Sequence, residues 1–121
     1  QSVHALGGFK VQGRGDDAER IKQDARALQK AGVFAIVLEL VPTQLAKEIT
    51  TELSIPTIGI GAGVGCDAQV LVWTDMVGLT KNAPKLAKAY RDLRGEILGA
   101  AREFADDVRS GAFPSEDQTF R

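Results

Sequence analysis

The sequence is poor in the residues that make disulfides, metal sites and membrane spans. Its one cysteine, Cys66, has no second thiol to pair with, so an internal disulfide is excluded and a reducing, cytoplasmic setting is expected. Its one histidine, His4, rules out a His-x-x-x-His pair, and no Cys-x-x-Cys occurs, so no metal ligand set is expected from spacing. No apolar run approaches the ~20 residues of a membrane span. Charge of neither sign dominates: 15 Lys and Arg stand against 16 Asp and Glu, a formal net charge of -1. That balance excludes the basic footprint of a nucleic-acid binder and the charge block of a membrane-surface protein, so neither partner is expected. Gln1-Ser2-Val3-His4 has neither the charged start nor the apolar core of a secretory signal. A first residue other than Met is what a processed or cut piece of a longer chain would show.

What remains is ordinary for a soluble globular chain. Of 121 residues, 44% are apolar and 26% charged, which suits one domain with its own core. Residues 1–15 hold four glycines without a clear period and are expected to be a loop. Asp16 and Glu19 then stand three apart, the spacing of a capping box. Ala18, Ile21, Ala25 and Leu28 follow at helical spacing towards Gly32, a C-cap candidate. Phe34 to Leu40 is short, β-rich and apolar at nearly every position, which suits a parallel strand covered on both faces. Pro42 and Thr43 restart a helix whose inner stripe is Leu45, Ala46, Ile49 and Leu53. Thr57 to Gly61 is a second strand. Gln69 to Trp73 has the pattern of a strand, but parallel neighbours usually need a helical crossover. The expected order is therefore a short helix capped by Asp67, then a strand at Met76 to Leu79. From Pro84, the positions Leu86, Tyr90, Leu93, Ile97, Ala101, Phe104 and Val108 predict a long helix, broken or kinked at Gly95 and ended by Gly111 and Pro114. Residues 111–121 are expected to be a polar, frayed tail. Alternating helices and strands over residues 16–110 make the fold class α/β with a parallel sheet, read as one domain.

Few residues carry candidate chemistry. Glu39 lies one residue short of the end of a parallel strand, where reactive groups of α/β folds gather. A carboxylate in apolar surroundings holds a proton more readily, which helps a general base near neutral pH. The bland alternative is a carboxylate satisfied by a nearby cation or helix end. The segment "GIGAGVG", Gly59 to Gly65, fails the G-x-G-x-x-G register from either start and has no P-loop lysine. Close passage of backbone past a ligand or neighbouring strand explains its glycines better. Lys10 and Arg14, in the first glycine-rich loop, are candidates for binding an anion, against the commoner case of solvated loop charges. Asp67 is expected to cap a helix. Asp75 is either a strand-edge residue near the pocket or a cap.

Four segments together, "LGGFKVQGRG", "AGVFAIVLELVP", "IPTIGIGAGVGCDAQVLVWTDMVGL" and "DVRSGAFP", resemble the ketopantoate hydroxymethyltransferase (3-methyl-2-oxobutanoate hydroxymethyltransferase) family, in order and over essentially the whole chain. The family's usual glycine after Cys66-Asp67 is Ala68 here. The resemblance implies the C-terminal part of a (β/α)8 TIM-type barrel of the phosphoenolpyruvate/pyruvate kind: the loop after strand five, then strands six to eight and a long C-terminal helical segment. It also favours the helix-then-strand order after Gly65. It implies transfer of a hydroxymethyl group from 5,10-methylenetetrahydrofolate to 3-methyl-2-oxobutanoate in pantothenate biosynthesis, with Mg2+ stabilising an enolate. The family's "LExVP" glutamate falls on Glu39 of "LELVP", as the base that removes the C3 proton. Lys10 and Arg14 become candidates for the folate's anionic tail. Metal ligands are not among the matching positions, so a missing N-terminal half of the barrel is an implied partner, as is homo-oligomerisation. A second functional hypothesis is a non-catalytic half-barrel, a scaffold or assembly subunit without the metal site; a third, a related lyase or mutase acting on another α-keto acid, is argued against by the combination of "LELVP" and "IGIGAG".

Overall fold

Helical spacing in the first third of the chain is realised as α1, Asp17–Lys30, in the computed structural model, which describes residues 8, 10, 11, 13, 15 and 17–120. His4, Arg14 and Asp16 lie outside the described residues, so the Asp16–Glu19 capping box has no counterpart here. Asp17 serves the helix start instead: its carboxylate accepts from the Gly13 amide at 3.1 Å and from Arg20 Nε at 2.7 Å. Both bonds favour the charged form and, Arg20 first, hold the Asp17 carboxyl below the usual carboxylate range.

The chain divides into two compact units, Gln1–Leu71 and Val72–Arg121. In the first, β1 (Ile36–Glu39), α2 (Thr43–Glu52), β2 (Thr57–Ile60) and β3 (Ala68–Gln69) follow α1. The three strands form one parallel sheet in the order β1-β2-β3, which makes the class α/β with a parallel sheet. Ile36 pairs with Thr57 and Glu39 with Ile60. Ile36 and Leu38 point into a core shared with Ala25 of α1, Leu45, Ala46 and Ile49 of α2, and Val41 and Ala62. Leu28 of the expected α1 stripe stays 46% exposed.

Two expectations for this unit are corrected. β1 is covered on one face only: Ile36 and Leu38 are buried, whereas Val37 is 57% exposed and Glu39 is exposed as well. Both helices supply core residues to the Ile36–Leu38 side, and period-2 alternation sends Val37 and Glu39 to the other. The short helix after Gly65 is replaced by β3, nearly where periodicity alone reads a strand. No helical crossover is needed because hydrogen bonds take over its task. The Asp67 carboxylate accepts from the Thr57 amide at 2.9 Å and from its hydroxyl at 3.1 Å. The Thr57 hydroxyl, fully buried, lies 2.7 Å from that of Thr50 on α2. Asp67 therefore pins the returning chain to the start of β2 rather than capping a helix. The Val70 amide then donates to the Gly59 carbonyl at 3.0 Å.

Ion pairs link α1 to α2 on the solvent side. Lys22 meets Glu48 at 2.5 Å, and Arg26 pairs with Glu52 and, at 3.3 Å, with Glu19. Lys22 holds Glu48, and Arg26 holds Glu52, below the usual carboxylate range. Carboxylates depressed in the folded state add stability above their unfolded pKa of about 4.3 and lose it as pH falls through the folded values. Thermal melts at stepped pH should therefore show a midpoint falling below about pH 4.5, and 1 M salt should flatten that fall, because these pairs are open to solvent and screened. A midpoint unchanged down to pH 3 would contradict this.

The second unit also departs from expectation. Met76 to Leu79 is not a strand: α3, Trp73–Met76, occupies its start, with the Val72 carbonyl accepting from the Asp75 and Met76 amides at 3.0 Å. Pro84 to Asp92 is not helical. The Tyr90 and Leu93 amides donate to the carbonyls of Met76 and Val77, at 2.8 and 3.0 Å, so they are unavailable to an i to i−4 ladder. The helix, α4, begins at Leu93 and runs to Ser110. Asp92 caps it by accepting from the Gly95 amide at 3.0 Å, so Gly95 sits in the first turn rather than at a break. Gly111, left-handed with φ 78°, ends it as expected. No residue of α4 is buried. The tail is more ordered than a frayed end: Ser115 and Gln118 form a capping box around a 3-10 turn, Glu116–Gln118.

Candidate active site

The C-terminal ends of β1 and β2 make a rim. Glu39 is the last residue of β1 and sits opposite Ile60, the last of β2. One residue on, the Leu40 amide still donates to the Ile60 carbonyl at 2.9 Å. The chain then turns sharply, with Leu40 at φ 53°, and delivers Val41 to the core and Pro42 to the start of α2. Glu39 lines an open groove of about 290 Å³ between α1 and the free edge of β1, with Asp24, Leu28 and Val37 among its walls. Among the described residues, Glu39 makes no hydrogen bond or ion pair.

The glycine segment after β2 is placed by α2. Gly63 faces Thr43 on its first turn and Gly65 faces Lys47 one turn later. A Cβ on Gly63 would stand 2.5 Å from Thr43 Oγ1, and Gly63 is left-handed at φ 79°. The glycines thus let a backbone run along a helix, where a ligand or neighbouring strand was expected. Gln69 steadies the passage by donating from Nε2 to the Gly63 carbonyl at 2.9 Å.

The other candidates scatter. Lys10 is exposed in irregular chain ahead of α1 and is not among the described residues lining the Glu39 groove. Arg14 lies outside the described residues. Cys66 is a free, half-buried thiol whose Sγ would stand 3.0 Å from a Cβ on Gly59. Asp75 is buried within α3 and not at a strand edge. Two features had no sequence signal: the left-handed Leu40, which is not a glycine, and the Thr50–Thr57–Asp67 bonds, whose members lie too far apart in sequence to suggest a group.

Among the described residues no group of three or more His, Cys, Asp and Glu is placed to hold a metal ion. A magnesium ion asks for near-octahedral oxygen ligation, and the groove offers only the carboxylates of Asp24 and Glu39, the first hydrogen-bonded to Arg20 at 3.4 Å. These residues do not fit a magnesium site by themselves, and no chemical step is derived through one. What the rim does offer is a solvent-facing carboxylate at a strand end. No helix among the described residues is long and apolar enough to cross a membrane.

Comparison with known proteins gives consistent results. The family model described as "Ketopantoate hydroxymethyltransferase" matches residues 1–116. Three relatives carry the name 3-methyl-2-oxobutanoate hydroxymethyltransferase. The chain is 64% identical to that of Acidothermus cellulolyticus, 59% to that of Saccharopolyspora erythraea and 54% to that of Mycobacterium leprae. Each alignment covers 99% of this chain but only 45%, 41% and 42% of the respective relative. The chain therefore spans less than half the length of these curated relatives.

Proposed function

The chain belongs to the ketopantoate hydroxymethyltransferase family, and from that premise we propose that it is part of an enzyme that transfers a hydroxymethyl group to 3-methyl-2-oxobutanoate, giving 2-dehydropantoate for pantothenate synthesis. The observation that carries the proposal is the placement of Glu39: the family's "LExVP" glutamate ends a parallel strand and faces away from the core.

In this proposal the Glu39 carboxylate takes the proton from C3 of the keto acid. The C–H electron pair becomes the C2–C3 double bond of the enolate, whose negative charge rests on the C2 oxygen. In the proposal, one water cleaves both C–N bonds of the methylene bridge of 5,10-methylenetetrahydrofolate, the proposed donor, giving formaldehyde and tetrahydrofolate; C3 then bonds to the formaldehyde carbon, and the resulting alkoxide takes the proton held by Glu39. Stabilising that enolate is the task of Mg2+ in the family resemblance, and its ligands are assigned to protein beyond these 121 residues. The same holds for most of the folate site, with Lys10 and Arg14 as proposed contacts for its anionic tail. The three strands become the last three of a (β/α)8 barrel, and the whole chain becomes one portion of a single domain. The free edge of β1 is where the preceding strand would pair, since three strands cannot close an eight-stranded barrel. A cytoplasmic homo-oligomer completes the proposal.

The test is a direct one on the full-length protein. With 3-methyl-2-oxobutanoate in D2O it should catalyse loss of the C3 proton, and on adding methylenetetrahydrofolate it should form 2-dehydropantoate. Absence of both exchange and product would refute the proposal. It would leave the non-catalytic half-barrel standing.

A further inference from the structure

Leu40 is the one non-glycine among the described residues with a positive φ. A left-handed backbone is unfavourable for leucine, because Cβ crowds the following carbonyl. Such strain persists only where the surroundings over-determine it. Here they do. Along β1 the side chains alternate, with Ile36 and Leu38 inward, Val37 and Glu39 outward. Continued extension would turn Leu40 inward and Val41 out. Instead Val41 is 6% exposed and Leu40 half-buried, so the phase is reset within one residue. Val41 cannot absorb the turn, because a residue before proline is confined to extended backbone. Pro42 cannot either, with its ring-locked φ of -53°. The whole turn falls on Leu40, while its amide keeps the Ile60 carbonyl at 2.9 Å.

We propose that Leu40 is a positioning residue for Glu39: its left-handed turn ends β1 immediately after the carboxylate while the Leu40 amide holds the register, so that the Glu39 side chain keeps one direction at the rim. This inference rests on the assignment of Glu39 as the base. With a relaxed turn, the strand end and the carboxylate it carries would swing together.

The experiment compares Leu40→Val, Leu40→Asn, Leu40→Gly and Glu39→Gln in the full-length enzyme, reading kcat and KM for the keto acid, C3-proton exchange and Tm. A β-branched residue is strongly disfavoured at positive φ, whereas Asn tolerates it without the leucine's apolar side chain. Leu40→Val should lower kcat at least about tenfold with KM changed less than about threefold, as displacement of a reacting group does. Leu40→Asn should hold kcat within about threefold of wild type, since it keeps the backbone and loses only the packing. Wild-type kcat in Leu40→Val would overturn the inference. So would equal losses in Val and Asn, which would mean packing matters and backbone does not. If Leu40→Val does not fold, Leu40→Asn and Leu40→Gly carry the test: both accept a left-handed backbone and lose only the leucine's packing, so both should hold kcat within about threefold of wild type. A loss of about tenfold or more in either overturns it. Glu39→Gln separates the two ideas. Full turnover in that variant refutes the base assignment, whereas an inactive Glu39→Gln beside a fully active Leu40→Val refutes only the role of Leu40.

Discussion

Glu39→Gln in the full-length enzyme is expected to lower kcat by about 10²- to 10⁴-fold, the usual contribution of a positioned general base. The change is nearly isosteric. Glu39 is exposed and makes no hydrogen bond or ion pair among the described residues, so its removal leaves nothing unsatisfied in the fold. Keto-acid affinity, measured by calorimetry, should therefore move by less than about threefold, because the lost group acts on the proton and not on ground-state binding. C3-proton exchange should fall in step with kcat. A variant that turns over like wild type would end the assignment. One that loses substrate binding along with turnover would recast Glu39 as a binding residue. Glu39→Asp gives a finer reading: it keeps the charge and shortens the reach, so an intermediate loss is expected if distance to the proton matters.

Gly63→Ala is expected to cost on the order of 3 kcal/mol of stability, combining a left-handed alanine with overpacking against a helix. Its φ is 79°, and the new Cβ would lie 2.5 Å from Thr43 Oγ1 and 2.9 Å from Thr43 Cβ. Thr43 begins α2, so the loop cannot move off without tilting that helix or losing the Gln69 bond to the Gly63 carbonyl. Denaturant titration should show a lower midpoint with an unchanged slope. Adding Thr43→Ala removes the hydroxyl and methyl but not the Cβ, so it should recover part of the loss. The double variant should then be more stable than the separate effects predict. Wild-type stability in Gly63→Ala would show that the loop has room to shift, and the close approach would then explain none of its glycines.

Glu39 and Gly63 fall in a region that the sequence describes unevenly. α1, β1, α2 and β2 are legible because period and punctuation agree there: Ile21 and Ala25 mark a helix face, Pro42 marks a restart, and Gly32 and Gly61 mark ends. Glu39 was legible as a strand-end carboxylate for the same reason. Its exposure was not, since periodicity shows that β1 has two faces but not which of them is covered. β3 was misread because the general need for a crossover outweighed a local strand pattern, and the bonds that replace the crossover join Asp67 to Thr57 across ten positions. The start of α4 was misplaced for a similar reason. Leu86 and Tyr90 continue the helical period, but Tyr90 spends its amide on Met76, a partner that periodicity does not register. Leu40 gave no signal at all, because the residue that usually announces a left-handed turn is absent.

The parallel sheet of the first unit has a kinetic consequence. Parallel pairing is ordinarily slow to form, because distant segments must meet before any contact rewards the loss of chain entropy. Here each strand meets its partner as soon as one short connection is complete: β1 and β2 across α2 alone, β2 and β3 across a few glycine-rich residues. Loop closure is correspondingly cheap. The sheet is thus suited to assemble in chain order, each strand docking on the one before it as the chain emerges during synthesis.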